Sequence, residues 1–561
     1  MGYLFHRCGL PLFIVERLGI LRTVFLKISH LPTLLLLVGF PVYWLELYCF
    51  KARDGVTSWA AWGIFLFLSI WTLGKRRAEL YRPLTRLKET SKILPPVEKL
   101  FITVGSLTAV LVLICAFYAA LLPPHLTQEF DALQYHITLP RQHLLYGSFQ
   151  PLAWSSGDFF LMPVDVALAP FWLASVLPNK IPQFLFLLGL IVLAVKLVGH
   201  FTRLDLVKGA LIVFAVIGSH GLGIQMGTAM LDIVLCYLAL AALDSFLSGN
   251  YRMAVLEFCF LFWSKSFMPV LWTAILAGIF IMAWVSKVPQ QWDFGGVKKF
   301  FVESPRGLGK GYAGIFLVLS LLVGGPFLIK SVYSAGTPFF PFFTGLIKIN
   351  PSVDYHSVHG QSILAASQYY LDHVKEEYGH GRSLWAFLKH FWLIAVPENG
   401  VNNAYDYPLG LAYLLVLGPF LYFFIFSLRE KKFVALAWFV VIYWLLWWFG
   451  SQQTRFLYIP FVLMMILAVA NFPTITKTML AVVTVALILN AASVIRAHQG
   501  DWGRWGENSL REKDLKLVQM SREYLRAQRK DIVSWMDHDV AYAQFPVKVV
   551  KEKLPFALAV E

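Results

Sequence analysis

Apolar stretches, most of them near the ~20 residues that a helix needs to cross a bilayer, recur along the chain between residues 31 and 495. Only helices and closed barrels satisfy their own backbone hydrogen bonds in lipid. The pattern therefore predicts an all-α polytopic membrane protein with about 13 transmembrane helices. The predicted crossings are residues 31–50, 57–74, 100–122, 182–200, 208–226, 229–247, 252–264, 267–285, 313–333, 408–427, 433–449, 456–471 and 478–495.

Composition and charge support this class. Of the 561 residues, 58% are hydrophobic and 14% are charged, whereas a soluble domain carries about 25% charged residues. The net charge of +15 comes from Lys and Arg in short segments between apolar stretches, which is typical of cytoplasmic loops and does not indicate a nucleic-acid partner. The basic segments 75–99 and 287–310 are predicted to be cytoplasmic. We expect a multi-pass protein of the cell membrane, meaning the inner or plasma membrane.

This orientation divides the chain into three parts. Residues 1–99 hold two helices and a basic loop, residues 100–495 form the transmembrane core, and residues 496–561 form a small helix-containing tail on the outer face. The core carries two long outer loops, 123–181 and 334–407.

Six apolar stretches lie between the crossing 100–122 and the basic segment 287–310. A chain that starts on the outer face and ends in the cytoplasm crosses the membrane an odd number of times, so one of the six does not cross. Residues 159–177 are the best candidate, since they contain Asp165 and the prolines Pro163 and Pro170. We predict that this stretch lies in the plane of the membrane or re-enters it.

The stretch FDALQYHITLP, Phe130–Pro140, carries the most chemistry. It follows the crossing 100–122, so Asp131, Tyr135 and His136 lie where the chain leaves the lipid on the outer face. If the stretch is helical, Asp131 and Tyr135 share one face. A carboxylate at this position can accept the proton of a substrate hydroxyl.

Four more charged residues lie near the outer ends of predicted crossings, namely Asp232, Lys265, Lys330 and Arg455. Charged side chains cost about 2.5–3.5 kcal/mol at the bilayer centre, so we predict that they converge with Asp131 on one cavity. Arg455 suits a phosphate, because guanidinium is always charged and can bind two oxygens.

Each of these residues also has a structural interpretation that stays open. Asp232 could be a partner of Lys265 or a helix cap, Lys330 could extend to the membrane surface, and Arg455 could be an interfacial anchor. The scattered histidines give no spacing typical of a metal site, and no Walker A motif for nucleotide phosphates is present. No cofactor is predicted, and the spacing of the ligand residues does not support a divalent metal, which stays an open alternative.

Four motifs occur in an order that resembles the GT-C fold of polytopic glycosyltransferases. The resemblance is strongest to the protein-mannosyltransferase and aminoarabinose-transferase group and its bacterial relatives, and it covers about residues 100–495. The motifs are FDALQYHITLP, MLDIVLCYLAL (Met230–Leu240), GPFLIKSVYSAGTPFFPFF (Gly325–Phe343) and SQQTRFLYIP (Ser451–Pro460).

The chain also departs from this group. Ala132 follows Asp131 where mannosyltransferases have a second acid, Ser331 stands where an Asn follows the Lys, and the first two crossings are additional. These departures leave the acceptor open.

The resemblance implies an enzyme that transfers a sugar from a polyprenyl-phosphate donor, on the outer face, to a hydroxyl or amine of a lipid, glycan or protein. Inversion at the anomeric carbon is the expected outcome. In the implied roles, Asp131 is the base and Asp232 orients the acceptor or the cations. Arg455 binds the donor phosphate with Lys265 or Lys330.

Tyr135 and His136 are the implied sugar contacts, and the lone carboxylate favours a reaction without a metal. Two other functions stay open. Charged groups in the membrane also suit a transporter or flippase of a lipid-linked anionic substrate, although no repeated half is visible. An oligosaccharide ligase or polymerase is the other alternative, for which His380 and Arg382 are the relevant residues.

Overall fold

The computed structural model describes residues 28–50, 56–122, 124, 129, 131–152, 155–173, 179–285, 308–338, 340, 378–396, 404–426, 434–471, 476–497, 547–549 and 558–560. Helices dominate these ranges. The α-helices are α1 (Thr33–Leu45), α2 (Val56–Ile93), α3 (Pro96–Leu121), α4 (Thr138–Tyr146), α5 (Pro163–Trp172), α6 (Ile181–Phe201), α7 (Leu206–Ile217), α8 (His220–Gln225), α9 (Asp232–Leu247), α10 (Tyr251–Trp263), α11 (Met268–Val285), α12 (Leu308–Val323), α13 (Gly325–Ala335), α14 (Leu384–Leu393), α15 (Leu411–Phe426), α16 (Val434–Phe449), α17 (Tyr458–Asn471) and α18 (Thr476–Ala497).

Five helical segments in the described ranges are long and apolar enough to cross a membrane. They are Thr57–Arg77, Pro96–Leu121, Ile181–Phe201, Thr454–Asn471 and Thr478–Arg496. A sixth results if α12 and α13, which are bent by 51° relative to each other, form one broken span. Five shorter apolar helices of 10–17 residues accompany them. The predicted helical membrane class is confirmed, whereas the number of 13 crossings stays a prediction.

Two predicted crossings are broken. Residues 208–226 form α7 and α8, which are separated at Gly218 and Ser219. The carbonyl of Leu409 accepts hydrogen bonds there from the Ser219 hydroxyl (2.9 Å) and the His220 amide (3.0 Å). The second break lies at Gly324, between α12 and α13, where a Cβ atom would lie 2.5 Å from the ring of Trp263. In both places a glycine marks the break, although the apolar character of the sequence continues across it.

The stretch that was predicted not to cross the membrane contains a short, buried helix. All ten residues of α5 are buried, and at about 15 Å the helix is too short to span a bilayer. It packs against α1 so closely that a Cβ atom at Gly39 would lie 1.8 Å from the carbonyl oxygen of Ala167. The expected in-plane or re-entrant element is thus an internal helix, packed against the first apolar helix of the chain.

Helices α9 and α17 form the centre of the bundle. Helix α9 packs against α6, α10 and α17, and α17 also packs against α15 and α16. Twelve consecutive residues of α17, Tyr458–Val469, are buried. Arg455 lies in the 3-10 turn Thr454–Leu457 that leads into α17, so this packing fixes the position of the arginine.

In the C-terminal tail, the described residues form two antiparallel strands, β1 (Val547–Val549) and β2 (Leu558–Val560), with Val547 opposite Val560. The predicted helix of this tail lies outside the described residues.

A buried charge network joins the chain ahead of α1 to three helices of the bundle. The Nδ1 atom of His30 lies 2.6 Å from Glu257 Oε1, and its Nε2 atom lies 2.8 Å from Asp244 Oδ2. The Asp244 carboxylate also binds Lys196 Nζ and His200 Nε2, both at 2.8 Å. Burial alone would lower the pKa of His30, but the carboxylates of Glu257 and Asp244 raise it to about 9.

The ion pairs of His30 make the stability of the fold depend on pH. Because the pKa is raised in the folded state, their contribution is complete below the ordinary imidazole pKa of about 6.5 and is lost as the pH rises through about 9. A shift of this size corresponds to about 3 kcal/mol. We expect the melting temperature of the solubilised protein to fall between pH 7 and pH 10, and to fall less in His30→Gln. The control is His380→Gln, at an exposed histidine, whose melting temperature should fall as much as that of wild type. An equal fall of the melting temperature in wild type and His30→Gln would contradict the prediction.

Candidate functional site

The motif that follows the third crossing forms a π-helical turn. The turn covers Ala132–His136, and the amide of Ile137 donates to the carbonyl of Ala132 at 2.9 Å. Asp131 stands at its start, and α4 follows. Each hydrogen bond of this turn spans five residues, whereas the bonds of an α-helix span four. Such π-helical turns are frequent at functional sites. Gly157 packs against this turn, since a Cβ atom there would lie 2.8 Å from the Cβ of Tyr135.

Asp131 and Arg455 are in direct contact, although 324 residues separate them. The Nη1 atom of Arg455 donates to Asp131 Oδ2 at 2.8 Å, and its Nε atom lies 3.5 Å from Asp406 Oδ2. The three side chains are between 14% and 20% exposed. The predicted base and the predicted phosphate ligand are thus bound to each other.

The backbone beside Arg455 is held against the segment that carries Asp406. The amide and hydroxyl of Thr454 both donate to the carbonyl of Tyr405, at 2.8 and 2.7 Å. The same hydroxyl also donates to the carbonyl of Tyr407. Asp406, between these two carbonyls, has a φ of 77°, in the left-handed region that residues other than glycine rarely adopt.

The second acid of the prediction pairs with the second cation. Lys265 Nζ lies 3.1 Å from Asp232 Oδ1, and Gln225 Nε2 donates to Asp232 Oδ2 at 3.2 Å. Lys265 lies in the turn between α10 and α11. The ring of Phe456 joins the two pairs, because Lys265 lies 5.4 Å and Arg455 5.5 Å from its centre.

We call this group the central cluster, composed of Asp131, Asp232, Asp406, Lys265 and Arg455. Three carboxylates face two cations in it. Burial alone would raise the pKa of Asp131, but the charge of Arg455, followed by those of His136 and Lys265, lowers it below its usual value. Asp131 is therefore ionised at neutral pH, and as a carboxylate of low pKa it is a weak proton acceptor while Arg455 holds it.

His136 has a carboxylate partner that the sequence did not indicate. Its Nδ1 atom lies 2.6 Å from Asp165 Oδ1 of α5, and its ring lies 4.3 Å from that of Tyr135. Burial raises the pKa of Asp165, although His136 opposes the shift. Within the described residues, His136 Nε2 and Asp165 Oδ2 are buried without a hydrogen-bond partner. Such atoms are rare in folded proteins and suit the polar groups of a ligand.

Lys330, which we predicted to join these residues, pairs with a different carboxylate. Its Nζ atom binds the carboxylate of Asp158 and lies 2.7 Å from His143 Nε2. Asp158 also accepts a hydrogen bond from the amide of Leu152 at 2.7 Å. Burial and the charge of Lys330 lower the pKa of His143 to about 4. A buried lysine needs a close counter-ion, and Asp158 supplies it, so Lys330 fastens the first long loop to α13.

A further buried pair connects that loop to the start of α9. Lys180 Nζ donates to Glu129 Oε1 at 2.5 Å, and Glu129 Oε2 accepts from the amide of Ala229 at 2.6 Å. Ala229 lies three residues ahead of Asp232, so the pair helps to fix that carboxylate. The sequence does not indicate this pair, because a Glu and a Lys in polar segments are usually exposed to solvent.

The remaining predicted residues lie beside the segment that carries Arg455. Arg382 Nη2 donates to the carbonyl of Gly450 at 2.8 Å, and the ring of His380 lies 5.6 Å from that of Tyr405. Throughout the described ranges, no three His, Cys, Asp or Glu side chains are placed so that they could hold a metal ion.

Comparison of the chain with protein families, with curated proteins and with solved structures finds no match.

Proposed function

We propose that the protein is a membrane glycosyltransferase that moves a sugar from a polyprenyl-phosphate donor to a hydroxyl or amine acceptor. The observation that supports this most is the central cluster, in which Arg455 and Lys265 flank Phe456 and each binds a carboxylate. We place the cluster on the outer face of the cell membrane, following the charge pattern of the loops. The GT-C fold is part of the same proposal.

The two cations suit the leaving group of this reaction. When the bond between the anomeric carbon and the phosphate oxygen breaks, negative charge grows on the lipid phosphate, and cations placed beside it stabilise that charge. Arg455 offers several N–H groups in one plane, and Lys265 adds a second positive charge across the Phe456 ring. Lys330 is not assigned to this role, because its carboxylate partner, Asp158, does not belong to the central cluster.

The carboxylates suit the acceptor. In the proposed reaction the acceptor oxygen or nitrogen attacks the anomeric carbon and gives its proton to Asp131, which becomes available once phosphate replaces it on Arg455. Asp232 keeps Lys265 in place. Tyr135 and His136 contact the sugar, for which the buried Nε2 atom of His136 is a suitable hydrogen-bonding group.

A transporter or flippase of a lipid-linked anion would use the same cations. Its substrate would leave unchanged, whereas a glycosyltransferase leaves a new glycosidic bond. Mass spectrometry of the products of a labelled donor, incubated with candidate lipid, glycan and protein acceptors, separates the two functions.

Removal of the guanidinium should weaken donor binding. We expect Arg455→Ala to lower the affinity for farnesyl phosphate, a short polyprenyl phosphate, by about 10- to 100-fold, since hydrogen bonds to charged groups contribute about 1.5–3 kcal/mol. Calorimetry in detergent measures this change. Arg203→Ala, which alters an exposed arginine, should bind as wild type. Unchanged affinity in Arg455→Ala would remove Arg455 from the phosphate site.

Loss of the base should slow transfer without weakening donor binding. General-base catalysis contributes about 10²–10⁴-fold, so we expect Asp131→Asn to lower the transfer rate by at least about 100-fold. The rate is measured with a labelled polyprenyl-phosphate sugar under saturating donor. Asp205→Asn, at an exposed carboxylate that also faces a lysine, is the matched control. Near wild-type transfer by Asp131→Asn would show that another group takes the proton.

A further inference from the structure

Arg455 already binds two anions inside the protein. Asp131 lies 2.8 Å from its Nη1 atom, and Asp406 lies 3.5 Å from its Nε atom. These carboxylates approach two different nitrogens of the guanidinium, which are the groups that a phosphate would use. A phosphate that binds through these two nitrogens takes the place of at least one of the carboxylates.

The charge of the central cluster leads to the same conclusion. Its three carboxylates outnumber its two cations, and all five side chains are at least partly buried. A phosphate that entered without displacing an anion would meet a negative site of low dielectric, where like charges repel strongly. A phosphate therefore competes with the carboxylates of the cluster for its two cations.

Asp406 is held toward Arg455 by the backbone. Its neighbours Tyr405 and Tyr407 both accept hydrogen bonds from Thr454, the residue directly before Arg455. Its left-handed φ of 77° is a conformation that persists only when the surrounding structure enforces it, and such residues cluster at ligand-binding and switching positions. A carboxylate presented in this way is positioned for Arg455 by the fold.

We propose that Asp406 is a positioning residue that, together with Asp131, occupies Arg455 as an internal substitute for the donor phosphate. The arriving lipid phosphate takes over the guanidinium, and Asp131 is released at that moment to accept the acceptor proton. Donor binding thus precedes activation of the acceptor. This inference rests on the proposed function for the identity of the anion, a polyprenyl phosphate.

The test measures binding alone, in the full-length protein in detergent. We expect Asp406→Asn and Asp131→Asn each to bind farnesyl phosphate about tenfold more tightly than wild type, because each removes one competing charge. Farnesol, which lacks the phosphate, should bind all three proteins equally. Asn tolerates the left-handed region about as well as Asp does, so Asp406→Asn keeps the backbone at this position.

The control is Asp205→Asn, which should bind farnesyl phosphate as wild type. Equal or weaker binding by both Asp406→Asn and Asp131→Asn would overturn the proposal, as would a failure of every variant to bind. Tighter binding that extends equally to farnesol would also overturn it, since the phosphate would then not be the competing group. If the variants bind more tightly but wild type transfers no sugar, the internal substitute stands and the proposed transferase function fails.

Discussion

The ion pair between Arg455 and Asp131 is the contact on which the arrangement of the site depends. It joins the motif after the third predicted crossing to the start of α17, across 324 residues. In a partly buried setting a guanidinium without a counter-ion is costly, so each partner requires the other. Phe456, next to Arg455, contacts Lys265 through its ring, and Lys265 in turn binds Asp232. Four distant segments of the chain are thereby bound to one another.

Two polar clusters lie at opposite ends of α9. Asp232 begins the helix in the central cluster, and Asp244 lies 12 residues later in the network of His30, about 18 Å away at 1.5 Å per residue. The two carboxylates differ in their surroundings. Asp244 binds three basic groups, one lysine and two imidazoles, which together stabilise its charge. In the central cluster, by contrast, the carboxylates outnumber the cations. This imbalance is what makes one cluster suitable for a ligand and the other for stability.

The helical class and the proximity of Asp131 and Arg455 could be predicted from the sequence, because hydropathy and loop charge place both residues at one end of the bundle. Their direct ion pair could not. The breaks at Gly218 and Gly324 could not be predicted in this way, since the residues around them stay apolar. Lys330 shows a further limit. Charge topology indicates the end of the bundle at which a lysine lies, but its counter-ion depends on the path of the loop that carries Asp158. Asp165 and Asp406 likewise acquire a role only through neighbours that are far away in sequence.

The His30 network has a consequence for how the protein is made. Translation delivers His30 and Thr33 early, yet their partner Glu257 is synthesised more than 220 residues later. Helix α1 must also wait for α5, whose backbone approaches Gly39 too closely for a side chain. Helix α5 is synthesised before α10, so α1 gains its close packing partner first, and the Glu257 partner of His30 and Thr33 comes last. A chain that ended before α10 would therefore leave His30 and Thr33 without the Glu257 contact.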